Sequence, residues 1–249
     1  DCDRTIYLSH VPSSHIVSPF FPRKFGNNTD CTTMMRIKKD SQVLIVFRYF
    51  GLHDLPDDST SLTIRSGDKI HCCFRNQSLP SPFIADGDIS VRVSSKRAGY
   101  GYDISYFTTF SKDPSLIVFE RNYDIRGAIS QPGYPNGYAA NTTFKYSFSA
   151  PSDGCIFTLE DAKIGVDCSR EETLVLSYFS QTGRQIAQGY SCYAEELMPF
   201  EIKIPHKTIL NIEFKTDGLT SNDGRGFRGT WNCPNYGVEN YAENTVVYH

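Results

Sequence analysis

Apolar and polar residues alternate in many short segments along this chain of 249 residues. Such alternation places the apolar side chains on one face of a β-strand, and clusters of Pro, Gly, Asn, Asp and Ser separate the segments. We expect strands at residues 42–47, 61–64, 89–93, 173–176, 201–204 and 209–214. A sustained helical period is not seen. The pattern therefore predicts an all-β protein built from antiparallel β-sandwiches.

One turn phrase occurs twice in the chain. The pattern Pro-x-aromatic-Pro-x-x-aromatic covers residues 19–25 and returns 113 residues later (132 − 19) at residues 132–138. An apolar segment follows each copy, and a Gly-aromatic-x-x-x-aromatic ending closes each copy at residues 101–106 and 226–231. The chain is therefore predicted to be two copies of one domain, each large enough to bury its own core.

The repeat sets the expected boundaries, with a first domain at residues 1–110 and a second at residues 124–233. Residues 111–123 connect them and include the run Leu-Ile-Val-Phe at 116–119, which is too apolar for a flexible linker. We expect this linker to be ordered and the two domains to keep a fixed relation. Residues 234–249 lose the alternation and are predicted to form a C-terminal tail or stalk.

Charge and hydropathy exclude some classes of partner. The formal net charge of -3 provides no long-range field for nucleic acid. The longest apolar runs have the length of strands, so we expect no membrane insertion by these residues. The first residues, Asp-Cys-Asp-Arg, cannot begin a signal peptide, and we expect that a signal was removed or lies before them.

Cysteines and glycosylation acceptors indicate an oxidising compartment. The eight cysteines are an even number, which fits disulfide pairing. Asn27, Asn76 and Asn141 each begin an Asn-x-Ser/Thr sequence, the acceptor for N-glycosylation. Together they predict an extracellular glycoprotein, either secreted or part of a plasma-membrane ectodomain.

The order of these motifs resembles the CUB domain. It comprises the Pro-x-aromatic-Pro-x-x-aromatic phrase, a cysteine six residues later (31 − 25), alternating strands, a Phe-x-Thr-Asp step and a closing Gly-Phe-x-Gly-x-aromatic. The resemblance spans residues 2–110 and 124–233 and is stronger in the second copy. CUB domains are β-sandwiches that act as extracellular protein-binding modules, and the resemblance implies this role for each half.

The resemblance also implies disulfides. Cys2 and Cys31 match the first pair of the family, and Cys168 and Cys192 match the second pair. Cys155 and Cys233 remain and are expected to tie an inner strand to the last one. In the second copy Phe144 stands where a cysteine of the first pair would be. For the adjacent Cys72 and Cys73, a strained vicinal bridge, two thiols, or a rewiring with Cys2 or Cys31 stay open.

Many CUB domains hold calcium through clustered carboxylates. The resemblance implies a site in the second domain, where Asp217 matches the last ligand, Glu172 lies near the middle one and Asp167 substitutes for the first. The alternative is that these are solvated loop carboxylates. In the first domain Lys96 takes the position of Asp217, and its positive charge would repel calcium. No other cofactor is required.

Catalytic residues are not expected. The six histidines lack the spacing of a zinc site, and no Gly-x-Ser-x-Gly elbow is present. Tyrosine is well suited to interfaces, because its ring buries area while its hydroxyl keeps a hydrogen bond. The candidate partner-binding residues are therefore tyrosines in loops and the tail, with structural packing as the alternative: Tyr100, Tyr102, Tyr134, Tyr138 and Tyr236.

The chain is thus expected to be a non-catalytic protein-protein interaction module. Tandem domains of this type are similar to the ectodomains of neuropilins and of Neto-type auxiliary subunits, which implies a cell-surface co-receptor or a receptor or channel auxiliary subunit. The implied partner is the extracellular domain of a membrane receptor or channel, or a secreted ligand. The alternatives are the targeting region of a secreted protease or protease enhancer, and a soluble matrix- or carbohydrate-binding protein.

Overall fold

The computed structural model describes residues 2–52, 60–72, 79–109, 113, 115–119, 124–152, 154–165, 171–179, 182–190, 197–218 and 224–234. These residues form eighteen β-strands and no α-helix, which confirms the all-β fold class. All six strands predicted from alternation fall within observed strands. A helix long and apolar enough to cross a membrane is absent from the described residues.

The first nine strands form one sandwich of two sheets. In chain order they are β1 (Arg4–Tyr7), β2 (Ser13–Val17), β3 (Thr29–Arg36), β4 (Gln42–Phe50), β5 (Thr60–Ser66), β6 (Lys69–Cys72), β7 (Phe83–Asp86), β8 (Ile89–Ser95) and β9 (Tyr102–Thr109). One sheet has the order β1-β3-β8-β5-β6 and the other the order β2-β9-β4-β7. All neighbours are antiparallel except β1 and β3, which are parallel.

The second sandwich repeats this arrangement strand by strand. Its strands are β10 (Leu116–Val118), β11 (Arg126–Ser130), β12 (Thr143–Ser149), β13 (Cys155–Lys163), β14 (Thr173–Phe179), β15 (Gln185–Tyr190), β16 (Phe200–Ile204), β17 (Ile209–Lys215) and β18 (Gly226–Asn232). They form sheets with the orders β10-β12-β17-β14-β15 and β11-β18-β13-β16. Each strand takes the place of the strand nine positions earlier, so the duplication covers the whole fold.

The apolar run of the predicted linker is the first strand of the second sandwich. Strand β10 pairs in parallel with β12, from Leu116 opposite Thr143 to Val118 opposite Lys145. Phe119 is 5% exposed, and its ring centroid lies 5.1 Å from that of Phe144. Pairing with β12 places residues 116–119 with the second sandwich, whereas the sequence assigned them to the linker that ends at residue 123.

The sheet β2-β9-β4-β7 is covered on both faces, whereas a sandwich sheet needs only one covered face. In β4, Val43, Ile45 and Phe47 belong to the core of the first domain. The alternate residues Leu44 and Val46 are also buried, but they belong to the core cluster of the second domain. The outer face of this sheet therefore packs against the second sandwich.

Phe107 of β9 is the central side chain of this interdomain contact. It is fully buried, and its ring lies edge-on to Tyr146 with centroids 5.2 Å apart and 6.3 Å from the ring of Trp231. Nearby, the backbone N–H of Ala128 donates a hydrogen bond to Ser105 Oγ at 3.0 Å. The contact is apolar at its centre and hydrogen-bonded beside it.

Two equivalent ion pairs with exchanged charges lie beside this contact. In the first domain Arg48 Nη1 lies 3.0 Å from Oδ2 of the fully buried Asp103. Strand register makes Glu160 and Arg228 the matching residues, and their side chains are 2.8 Å apart. Arg126 Nε of the second domain lies 3.7 Å from Asp103 Oδ2, and Arg228 Nη1 donates to the carbonyl oxygen of Phe47 at 3.1 Å. Both pairs therefore connect the domains.

Replacing Phe107 by alanine is expected to lower the free energy of unfolding by about 3–5 kcal/mol, because a buried aromatic ring is lost and a cavity remains. Urea unfolding monitored by Trp231 fluorescence measures the change. The control is Phe179→Ala, since the Phe179 ring is 54% exposed. We expect that control to stay within about 0.5 kcal/mol of the wild type. Equal midpoints for Phe107→Ala and the wild type would contradict the proposed packing.

Candidate functional site

The duplicated phrase forms the same turn at one end of each sandwich. In the first domain the N–H of Arg23 donates to the carbonyl oxygen of Phe20 at 2.8 Å, and in the second the N–H of Asn136 donates to that of Gly133 at 2.8 Å. Both copies contain a cis peptide before the second proline, at Phe21–Pro22 and Tyr134–Pro135. Equivalent positions of the two turns can therefore be compared directly.

The closing motif of each copy packs against this turn. In the first domain the N–H of Tyr102 donates to Ser18 Oγ at 3.1 Å, and a Cβ on Gly101 would overlap the Ser18 side chain. In the second domain Gln131 makes the matching contacts, because its Nε2 donates to the carbonyl oxygen of Arg225 and its Oε1 accepts from the N–H of Phe227, both at 2.8 Å. The residue before each closing glycine, Tyr100 or Arg225, is thereby held beside the phrase.

In the second domain three polar side chains beside the turn phrase bind one another: Tyr134, Asp161 and Arg225. We call them the polar triad. The Tyr134 hydroxyl donates to Asp161 Oδ2 at 2.7 Å, while Arg225 donates to both carboxylate oxygens at 3.0 and 2.9 Å. Burial by itself raises the pKa of Asp161, but the hydrogen bonds from Arg225 and Tyr134 outweigh it and lower the pKa. The carboxylate is held in place by groups of its own domain.

Strand register identifies the matching residues of the first domain. Each long strand has an irregularity at the same place, after which Tyr49 pairs with Asp103 and Asp161 pairs with Arg228. Tyr49 is therefore the counterpart of Asp161. By their places in the phrase and before the closing glycine, Phe21 corresponds to Tyr134 and Tyr100 to Arg225. Every member of the polar triad is thus an aromatic residue in the first domain.

These aromatic residues contact one another. The rings of Phe21 and Tyr49 have centroids 5.5 Å apart, and Lys24 Nζ lies 4.9 Å from the centroid of the Tyr100 ring. A Cβ on Gly51 would overlap both Tyr49 and Tyr100, so the two tyrosines lie over this glycine. We call the group the aromatic cluster, and with the neighbouring Phe20 its members are Phe20, Phe21, Lys24, Tyr49 and Tyr100.

Phe20 has an unusual backbone for a large side chain. Its φ is +62°, in the left-handed region, and the corresponding residue of the second domain is Gly133 with a φ of +89°. A bulky residue with positive φ costs on the order of 1–2 kcal/mol relative to its ordinary conformations, a cost that glycine avoids. The Phe20 side chain is nevertheless 74% exposed. Burial in this domain therefore does not offset the strain.

Two of the segments that form the aromatic cluster are positively charged. The isolated bridge between Phe25 and Gly99 joins the turn phrase to residues 96–101. The two segments, residues 19–28 and 96–101, contain four exposed cations and no carboxylate: Arg23, Lys24, Lys96 and Arg97. These two segments therefore combine exposed aromatic surface with positive charge, which suits them to contact an anionic partner.

The tyrosines predicted from the sequence fall into two groups. Tyr100 is 43% exposed and belongs to the aromatic cluster, and Tyr134 is half-buried with its hydroxyl on Asp161. Partner contact is wrong for Tyr102 and Tyr138, which are 2% and 8% exposed. Burial raises the pKa of Tyr102 to about 12. Both are core residues, because the last aromatic residue of the phrase, Tyr138, and the first aromatic residue of the closing motif, Tyr102, point into the sandwich. Tyr236 lies outside the described residues.

The expected calcium ligands are only partly described. Glu172 is 2% exposed, and its Oε2 accepts a hydrogen bond from the Tyr138 hydroxyl at 2.9 Å. Asp217 accepts a backbone hydrogen bond from Asn141 at 2.5 Å, and Asp167 lies outside the described residues. Within the described part of the chain, no three His, Cys, Asp or Glu side chains form a group that could hold a metal. The calcium site stays a prediction.

Two disulfides are present among the described residues. Cys2 is joined to Cys31, and Cys155 at the start of β13 is joined to Cys233 just after β18. Of the other cysteines, Cys72 ends β6, and the remaining three lie outside the described residues: Cys73, Cys168 and Cys192. Their pairing stays a prediction.

The glycosylation acceptors are described in part. Asn27 and Asn141 are exposed, and Asn27 Oδ1 accepts a hydrogen bond from the N–H of Ala98 at 2.7 Å. Asn76 lies outside the described residues. Glycosylation at the three positions stays a prediction.

Sequence reasoning missed four members of the aromatic cluster, namely Phe20, Phe21, Lys24 and Tyr49. Phe20 had a visible signal, because the two copies of the phrase place it opposite Gly133, a position where glycine is conformationally favoured. Lys24 also lies in the phrase, but its contact with Tyr100 depends on the fold. Tyr49 follows the strand irregularity, and its equivalence to Asp161 depends on register that alternation alone does not specify.

The polar triad predicts a pH-dependent stability. Because the pKa of Asp161 is lowered in the folded state, its carboxylate stabilises the fold above the unfolded value of about 3.9, and this contribution is lost as the pH falls through the folded pKa. Asp161→Asn is expected to be less stable than the wild type at pH 7, with a difference that shrinks below about pH 4. Urea unfolding at several pH values measures it.

The control for this experiment is Glu213→Gln, which alters an exposed ion pair with Lys145 at 2.9 Å. Exposed pairs contribute about 0–1 kcal/mol, so we expect a small difference from the wild type at every pH. A difference for Asp161→Asn that stays constant down to pH 2 contradicts the role of the carboxylate charge.

Comparison with known proteins agrees with the repeat. No family model matches the chain. The chain is 28% identical over 261 residues to the cubilin homolog of Caenorhabditis elegans, which covers 95% of this chain and 6% of that protein. It is 24% identical over 175 residues to human cubilin, covering 67% of this chain and 5% of that protein. The chain therefore spans only a small part of the length of these relatives.

A similar solved structure is that of the CUB1-EGF-CUB2 domains of rat MASP-1, with 14% sequence identity, a TM-score of 0.35, and coverage of 93% of this chain and 100% of that chain. The cubilin relationship extends over both halves of the chain. The two halves also share one strand order, a turn phrase and a closing motif. The chain is a tandem of two β-sandwich domains with one strand order, and it is similar in sequence to a segment of the cubilins.

Proposed function

We propose that the chain is a non-catalytic, protein-binding segment of an extracellular receptor or co-receptor, and that the aromatic cluster of the first domain contacts the partner. The observation that carries the proposal is the exposure of a strained aromatic side chain, Phe20, beside exposed cations. Aromatic residues and arginine are enriched among the interface residues that contribute most of the binding free energy. The equivalent end of the second domain is closed by its polar triad, so the two ends differ in what they offer a partner.

The interdomain contact supports this role. Because Phe107 packs in the core of the second domain, the two sandwiches present their loops as one unit. A preformed arrangement lowers the ordering cost that binding would otherwise carry. This suits an adaptor whose partner touches both domains.

The relatives support a place within a longer extracellular protein. The chain corresponds to 6% of the cubilin homolog of Caenorhabditis elegans. The disulfides Cys2–Cys31 and Cys155–Cys233 fit an oxidising compartment, as do the three glycosylation acceptors. We therefore favour a receptor or co-receptor ectodomain over a protease-targeting region or a matrix-binding protein, since no observation specifically favours the latter two.

Crosslinking to intact cells tests the proposal. The whole chain, biotinylated and carrying a photoreactive group, is applied to cells of the native source, and labelled proteins are identified by mass spectrometry. We expect one extracellular protein or ectodomain to be labelled, and this labelling to be abolished by excess unlabelled chain. A heat-unfolded chain serves as the control. Labelling that excess chain does not compete, or that the unfolded chain reproduces, speaks against a protein-binding function.

We also propose calcium binding in the second domain, through Glu172 and Asp217 together with Asp167. The buried Glu172 carboxylate, held by the Tyr138 hydroxyl, is a suitable oxygen ligand for a hard cation. Calcium at ten times its dissociation constant is expected to stabilise the fold by about 1.4 kcal/mol and to raise the melting temperature. The rise should be absent in Asp217→Asn and after addition of EDTA. Equal melting temperatures with millimolar calcium and with EDTA rule out the site.

A further inference from the structure

We propose that the aromatic cluster binds an acidic segment of a partner protein, in which an apolar side chain lies next to carboxylates. The inference rests on the proposed function, because it specifies the partner chemistry of the same surface. It follows from the charge of the loops, from the comparison with the second domain and from the backbone of Phe20.

The loop charges favour an anionic partner. Residues 19–28 and 96–101 contain Arg23, Lys24, Lys96 and Arg97, all exposed, and no Asp or Glu. Lys24 is held over the Tyr100 ring with its Nζ 4.9 Å from the centroid. A carboxylate that approaches Tyr100 would therefore meet the ammonium group of Lys24. Because the ring contact already restricts the Lys24 side chain, binding would cost less conformational entropy there than at a lysine without such a contact.

The second domain shows where a carboxylate fits at this end of the fold. Asp161 occupies the position of Tyr49 and is bound by Tyr134 and Arg225. In the first domain Tyr49 takes the place of this carboxylate and the two partner positions are also aromatic, while residues 19–28 and 96–101 beside them carry four exposed cations. The carboxylate that the second domain supplies from its own β13 would here come from a partner.

Phe20 indicates the apolar part of the partner. Its φ of +62° is strained for a bulky residue, and its ring is 74% exposed. Stability of the isolated domain would favour glycine, as at Gly133. If the Phe20 ring packs against an apolar side chain of the partner, binding removes from water the aromatic surface that is exposed in the chain alone. Phe20 and Tyr100, which is 43% exposed, provide this apolar surface.

Among anionic partners, a protein segment fits better than an extended surface. The chain as a whole has a formal net charge of -3, so a membrane or a long polysaccharide would meet repulsion beyond the cluster, whereas a short segment can be confined to the cations of residues 19–28 and 96–101. A sulfated polysaccharide also offers little apolar surface to Phe20. Binding to anionic vesicles or heparin is therefore an outcome that would count against the proposal.

The test uses peptides selected on the whole chain from a phage-displayed random library. We expect the selected peptides to be enriched in Asp and Glu next to an apolar residue. Their dissociation constants should rise at least about tenfold in Lys24→Glu and in Tyr100→Ser, as for the central residues of an interface. The matched controls are Lys203→Glu and Phe179→Ser, which change an exposed lysine and an exposed aromatic residue of the second domain. These controls should leave peptide binding unchanged.

Phe20→Gly separates binding from stability. Because glycine relieves the strain at positive φ, the melting temperature should stay the same or rise, while peptide affinity falls at least about tenfold. A purely structural role for Phe20 would instead lower the melting temperature and leave the affinity unchanged.

Several outcomes overturn the inference. These are neutral or basic selected peptides, binding that survives Lys24→Glu and Phe20→Gly, failure of the library to yield peptides that depend on the cluster, and cluster-dependent binding to heparin or to phosphatidylserine vesicles. The proposed function is judged separately by crosslinking to cells. If the whole chain captures a protein equally well with and without Lys24→Glu and Phe20→Gly, the function stands and the inference about the cluster fails.

Discussion

Burial of both faces of the β2-β9-β4-β7 sheet is the constraint on which the arrangement of the molecule depends. One face supplies the core of the first sandwich, and the other, through Leu44, Val46 and Phe107, is part of the core of the second. Separation of the domains would expose this apolar outer face to water, and the free-energy cost of that exposure grows with the exposed apolar area. The tandem, rather than the single domain, is therefore the unit that buries its apolar surface, and this fixes the direction in which the loops of each domain point.

Within this shared scaffold the two copies differ in chemistry at equivalent positions. The pair Arg48–Asp103 of the first domain corresponds to Glu160–Arg228 of the second, with the charges exchanged between strands. Both pairs also reach the other domain, through Arg126 and through the carbonyl oxygen of Phe47. A buried carboxylate such as Asp103 is tolerated only when it is paired, so these contacts specify how the domains meet more than they add stability.

Alternation was sufficient to predict strands and duplication, because the period of burial along a strand is a local property. Residues 116–119 were recognisable as ordered for the same reason, but their parallel pairing with β12 depends on distant residues. Side-chain direction in the loops was not predictable. Tyr100 is exposed and Tyr102 is buried although only Gly101 separates them, and the contacts of Gly101 and of the Tyr102 N–H with Ser18 depend on residues distant in sequence. The aromatic cluster likewise depends on the irregularity before Tyr49, which shifts the register of β4 against β9.

The two loop ends show how a duplicated fold acquires different surfaces without a change of backbone. The turn, the position of the closing glycine and the strand irregularity are common to both domains. In the second domain the side chains at this end satisfy one another, because Asp161 has its cation and its hydroxyl donor within the domain. In the first domain the corresponding side chains are aromatic, and Phe20 occupies a conformation that glycine adopts at lower cost. A strained and exposed ring does not stabilise the fold, and this is the reason for proposing that Phe20 contacts a partner.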